Sequence, residues 1–92
     1  MDDLSKLRQE IDTIDNELIV LFERRMEVSK KVADYKRDNK LPIFDASREN
    51  IIIKKNIQKL NNKSLAEELE SFYKIIFKIS KAIQKKQIDS SK

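Results

Sequence analysis

An all-α fold is what this sequence predicts, with three helices per chain, one long and two shorter. Three observations carry that expectation. Glycine is absent and proline occurs once in 92 residues, which leaves almost no turn chemistry for hairpins or a sheet. Charged and hydrophobic residues each make up 39%, the mixture that amphipathic helices require. Apolar residues also recur in alternating steps of three and four, the period of one helix face.

The first helix is read over residues 3–38. Its seam is Leu4, Leu7, Ile11, Ile14, Leu18 and Leu21, resuming at Val28, Val32 and Tyr35. Such a helix is about 54 Å long, against about 26 Å for the diameter of a compact chain of this size. It must project beyond its own subunit, and a coiled-coil-like seam implies a partner helix. "RDNKLPIFD" ends it, because Pro42 cannot continue a helix and pushes the residue before it towards extended geometry.

Asp45 is read as the N-cap of a second helix over 46–60, with Ile52, Ile53, Ile57 and Leu60 among its apolar positions. The "III" run at 51–53 is a mild strand signal, but a lone strand has no partner. After "NNKS", Ser64 is expected to cap a third helix over 65–86, with Glu67 completing a capping box. Its apolar stripe includes Leu65, Leu69, Phe72, Tyr73, Ile76, Phe77, Ile79 and Ile83, and the tail "QIDSSK" is expected to fray. No repeat or linker divides the chain, so residues 1–92 are read as a single domain.

Composition also limits the chemistry. The formal charge is +4 and the pI about 9.3, compatible with a nucleic acid, an anionic metabolite or neither. Basic residues alternate with acids, as in "KLRQEIDTIDNE", so no one-sided basic face forms and no nucleic-acid partner is expected. There is no Cys and no His. That removes the thiolate nucleophile, the common metal ligands and the usual general base near neutral pH. No cofactor and no metal are expected. No apolar run approaches the length of a membrane span, and "MDDLSKLRQE" lacks a signal-peptide core. A cytoplasmic protein is the expectation.

Several polar residues stand where apolar ones belong. Residue 25 falls in the seam between Leu21 and Val28, and it is arginine. A guanidinium there is costly unless paired, so it meets a carboxylate of the protein or an anionic ligand; the plain readings are a structural salt bridge or an arginine that snorkels past a frayed packing layer. Its neighbour Arg24, off the seam, reads as a surface residue. Lys36 lies eleven residues after Arg25, within about 20° of the same face and about 16 Å along the axis. The two side chains can lean together on one small anion. Arg8 lies about 25 Å from Arg25 along the helix and cannot share its site within one chain; a surface pair with Asp12 is the plain alternative.

On the third helix Tyr73, Phe77, Ser80 and Gln84 share a face, where Ser80 and Gln84 either orient a ligand or mark the stripe's edge. Asp45, Arg48 and Glu49 sit at the start of the second helix, where acids also suit the helix dipole. Taken together, these residues describe a cavity for a small molecule with more than one carboxylate and a hydroxyl.

In that order the segments "LRQEIDTIDNELIVLFERRMEVSKKVADYK", "PIFDASRE" and "FYKIIFKISKAIQ" resemble the all-helical chorismate mutases. The likeness covers about residues 4–85. It implies an intertwined helical-bundle homodimer in which the long helices cross and each site takes one arginine from the other subunit. Arg8 would be that arginine, binding one substrate carboxylate, while Arg25 of the site's own chain binds the other. Lys36 and Gln84 would address the ether oxygen, Asp45 and Glu49 the ring hydroxyl, and Ser80 a carboxylate; Arg48 belongs to the motif.

The implied reaction, chorismate to prephenate in phenylalanine and tyrosine biosynthesis, is an intramolecular Claisen rearrangement. It requires no nucleophile, metal or redox cofactor, and so suits a chain without His or Cys. Holding the substrate folded and stabilising charge on the ether oxygen must together supply about 8 kcal/mol for a million-fold acceleration. Lys36, Gln84, Glu49 and Arg25 would carry that work. A Glu49 carboxylate at the ether oxygen would repel the developing charge, so Glu49 must be protonated there or directed at the hydroxyl. The alternatives are an isochorismate pyruvate-lyase of the same fold, and a non-catalytic helical module that regulates a partner enzyme of the shikimate pathway.

Overall fold

A computed structural model describes residues 2–90. The described residues form helix α1, Asp3–Asp38, helix α2, Ala46–Ile57, a single 3-10 turn at Lys63–Leu65, and helix α3, Ala66–Ser90, with no strand among them. The "III" run lies within α2. No helix among them is long and apolar enough to cross a membrane.

α1 has the bounds read from the sequence, and its ends show why. Asp2 caps the start, its carboxylate accepting from the Ser5 amide at 2.7 Å. That backbone hydrogen bond holds the Asp2 carboxyl below its ordinary value. At the other end the chain leaves through a left-handed residue. Leu41 N donates to Lys36 O at 2.8 Å and Lys40 N to Arg37 O at 3.2 Å, the paired bonds of a Schellman ending. Lys40 takes the left-handed position, φ 55°, which glycine would occupy without steric cost. Replacing Lys40 with Gly is therefore expected to raise stability by about 1 kcal/mol, read as a later midpoint in chemical denaturation.

The other helix ends differ from expectation. α2 stops at Ile57 rather than 60. Lys59 N and Leu60 N bond three residues back, to Asn56 O and Ile57 O, and the Lys63 ammonium takes the Ile57 and Gln58 carbonyls. Ser64 does not cap α3. Asn62 caps the 3-10 turn that precedes α3, accepting from both the amide and the hydroxyl of Ser64, so Ser64 lies inside that turn. α3 runs past residue 86 to Ser90, where Gln87 Nε2 reaches Asp34 Oδ1 on α1 at 3.2 Å. Of the tail expected to fray, residues 87–90 are helical; Ser91 and Lys92 lie outside the described residues.

α3 packs against both α1 and α2. The buried apolar residues are Met26 and Ala33 from α1, Ile53 from α2, and Ile76 and Phe77 from α3. The stripe of α1 that enters this core, Met26, Ser29 and Ala33, is not the seam read from the sequence. Leu4, Leu7, Ile11, Ile14, Leu18 and Leu21 are all about half exposed, from 49% at Leu18 to 57% at Ile14. The molecule measures 55 × 27 × 15 Å with a radius of gyration of 16.6 Å, against about 12 Å for a compact chain of this length. The N-terminal half of α1 thus carries a long apolar face that its own chain leaves open.

Candidate active site

One cavity of about 290 Å³ lies where the second half of α1, the start of α2 and the second half of α3 meet. That is near the lower end of the range for small-molecule sites, about 300–1,000 Å³. It gathers Arg25 and Lys36 from α1, Asp45, Arg48 and Glu49 from the start of α2, and Ser80 and Gln84 from α3. Seven of the eight residues singled out in the sequence therefore line a single space. Arg8 does not; it is exposed, seventeen residues from Arg25, or about 25 Å along α1.

Helical spacing explains the α1 wall. Arg25, Ser29, Val32 and Lys36 follow one another at steps of four, three and four and all border the cavity. Arg25 is half-buried, and it forms no ion pair among the described residues. The structural salt bridge that would have explained a cation in the seam is not made among them. The Arg8–Asp12 pair is likewise not among those formed by the described residues.

Lys36 reaches from the last turn of α1 to Ile43, donating to its carbonyl at 2.9 Å. That bond ties the 39–45 connection, whose Ile43 and Asp45 border the cavity, to the end of α1. An ammonium has three protons, so the bond leaves donors for a ligand. Asp45 is the α2 cap as read from the sequence, accepting from Arg48 N at 3.0 Å. With Oδ1 so engaged, its second oxygen remains for a ligand hydroxyl.

Glu49 is held by a residue the sequence reading passed over. Lys81 Nζ lies 3.1 Å from Glu49 Oε2 and 4.5 Å above the centre of the Phe44 ring. Lys81 also borders the cavity, so four cations face two acids there, Arg25, Lys36, Arg48 and Lys81 against Asp45 and Glu49. A carboxylate near a developing negative charge is less repulsive when a neighbouring ammonium offsets it. That answer to the Glu49 problem is additional to the two foreseen. Nothing in the sequence marks Lys81, since a helical lysine is usually a solvated one.

Ser29 is the second residue passed over. Its Oγ lies 2.8 Å from Ser80 Oγ, and Gln84 Nε2 donates to the same Ser80 oxygen at 3.2 Å. All three side chains are buried, and Gln84 Oε1 is buried without a partner. The clue lay in position: Ser29 is four residues after Arg25 and seven before Lys36, on the face that carries both. The hydroxyl of Ser80, expected at a substrate carboxylate, borders the cavity and also bonds Ser29 and Gln84.

A wider apolar groove of about 590 Å³ adjoins this cavity through Arg25, between Leu18, Leu21 and Phe22 of α1 and Phe72, Tyr73 and Ile76 of α3. No group of acidic side chains among the described residues is arranged to hold a metal ion.

The family model described as chorismate mutase type II matches residues 7–85. A crystal structure of chorismate mutase from Helicobacter pylori in complex with prephenate superposes with a TM-score of 0.84 at 39% identity, covering 94% of this chain and 93% of that one. The chorismate mutase of Methanocaldococcus jannaschii is 31% identical over 90 residues, 96% of this chain and 90% of that protein. The T-protein of Haemophilus influenzae is 45% identical over 49 residues, which are 53% of this chain and only 13% of that protein's length.

Proposed function

The chain belongs to the chorismate mutase type II family, and from that premise we propose that it converts chorismate to prephenate by an intramolecular Claisen rearrangement. One observation carries the proposal: cations, acids and a glutamine from all three helices border one small cavity. The substrate is a dicarboxylate with a ring hydroxyl and an ether bridge. Arg25 takes one carboxylate, and the ammonium of Lys36 with an N–H of Gln84 meets the ether oxygen as its bond lengthens. Asp45 and Glu49 address the hydroxyl, and Arg48 adds positive potential at the mouth. Ser80 we assign to holding Gln84, because its hydroxyl is already engaged.

The remaining carboxylate falls to Arg8 of a second copy. The half-exposed seam from Leu4 to Leu21 supports that assembly, since crossing two such faces would bury both and bring each Arg8 towards the other chain's cavity. An intertwined homodimer, acting in the cytoplasm in phenylalanine and tyrosine biosynthesis as one catalytic domain, is the assembly proposed. No cofactor has a part in it, because the rearrangement moves electron pairs within one molecule.

The test is a chorismate-depletion assay with product identification, on the natural chain and on Arg25→Ala, with the oligomeric state of both measured by light scattering. The natural chain is expected to form prephenate. Arg25→Ala is expected to remain dimeric and lose at least about a hundredfold in kcat/KM, the order expected for a charge-assisted carboxylate contact made inside a closed site. Equal rates in the two would sink the site, and salicylate with pyruvate from isochorismate would mean the lyase instead.

A further inference from the structure

Three buried polar side chains lie in sequence across the interface of α1 and α3: Ser29, Ser80 and Gln84. They are 8%, 7% and 7% exposed and border the cavity, so a polar atom turned away from that space must find its partner within the group. A hydroxyl brings one proton and two lone pairs. Gln84 Nε2 already donates to Ser80 Oγ. Either hydroxyl of the 2.8 Å Ser29–Ser80 pair can be the donor, and the direction that uses Ser80's own proton is Ser80 to Ser29.

We propose that Ser29 is a positioning residue for Gln84: by accepting the Ser80 proton it keeps the Ser80 oxygen turned to one Gln84 N–H, leaving the amide's second N–H for the ligand. The proposal rests on the reading of Gln84 given above. Its physical content lies in the alternative. The two ends of an amide are nearly equal in shape, so hydrogen bonding alone decides which way it faces. Without Ser29, the Gln84 oxygen, which at present has no partner, becomes an acceptor that the Ser80 proton can draw round. A half-turn of the amide satisfies that bond and removes the N–H from its present place. Where negative charge develops on the substrate, an N–H attracts and a carbonyl oxygen repels. The penalty therefore falls on the transition state rather than on binding.

Ser29→Ala is accordingly expected to lower kcat about tenfold while KM changes less than about twofold. Ser29→Thr, which keeps the hydroxyl, is expected to restore most of the rate. In a Gln84→Ala background, Ser29→Ala is expected to cost nothing further, because the group it positions is gone. Thermal melts of the natural chain and all four variants accompany the kinetics. A slow Gln84→Ala beside a normal Ser29→Ala overturns the role of Ser29 alone. Equal losses from Ser29→Ala in both backgrounds, or a rise in KM at unchanged kcat, also overturn it, since either is what a merely structural serine gives. A Gln84→Ala chain as fast as the natural one overturns the reading of Gln84 and this proposal with it.

Discussion

Lys36→Met is expected to reduce kcat by about a thousandfold, equivalent to about 4 kcal/mol of transition-state stabilisation. The proposed chemistry leaves one charge to be met, that on the ether oxygen, and Lys36 is the cation assigned to it. Methionine keeps the length and apolar stem of lysine and removes only the ammonium. The same ammonium holds Ile43 O, and its loss also frees the 39–45 connection, at about 1.5–3 kcal/mol for a hydrogen bond from a charged donor. Lys36→Gln separates the two effects, since a neutral amide can still donate to Ile43 but brings no charge. Steady-state kinetics and melting curves on both variants are the measurement. A Lys36→Gln chain within tenfold of the natural rate would remove the cation from the mechanism and leave Lys36 as a loop tether.

Lys36 and Arg25 also show how much of the site was legible in the sequence. Both were found by helical spacing, because a rigid period converts sequence distance into direction. The three helices were legible for the same reason, helped by a composition almost without turn formers. What spacing cannot give is the partner of a side chain. It found a seam from Leu4 to Tyr35 but not that the chain's own core uses the neighbouring stripe of Met26, Ser29 and Ala33. Ser29 was hidden because a serine between apolar neighbours is unremarkable until Ser80, 51 residues later, is seen opposite it. Helix ends were misplaced where side chains decided them: Lys63 on the carbonyls closing α2, Asn62 before α3, and Gln87 on Asp34 near the end of α3.

The crossed dimer makes a sharper prediction than any single substitution, because it assigns residues of one helix to two different sites. Arg8→Ala and Arg25→Ala are each expected to be nearly inactive alone. When the two chains are unfolded together and refolded, about half the dimers should be mixed, and in each mixed dimer one site of the two-fold pair should be intact. That site combines Arg25 from the Arg8→Ala chain with Arg8 from the Arg25→Ala chain. About a quarter of the natural activity should therefore return. The control is a mixture of Arg25→Ala with Lys36→Met. These residues border the same cavity of one chain, so each site of a mixed dimer keeps one defect and no activity should return. The half-exposed seam from Leu4 to Leu21 says only that α1 needs a cover. Recovery in the first mixture and none in the second would show that the cover is another copy of α1, crossing so that its Arg8 completes the cavity. Recovery in neither, with mixed dimers verified by mass spectrometry, would leave each site within a single chain and remove Arg8 from it.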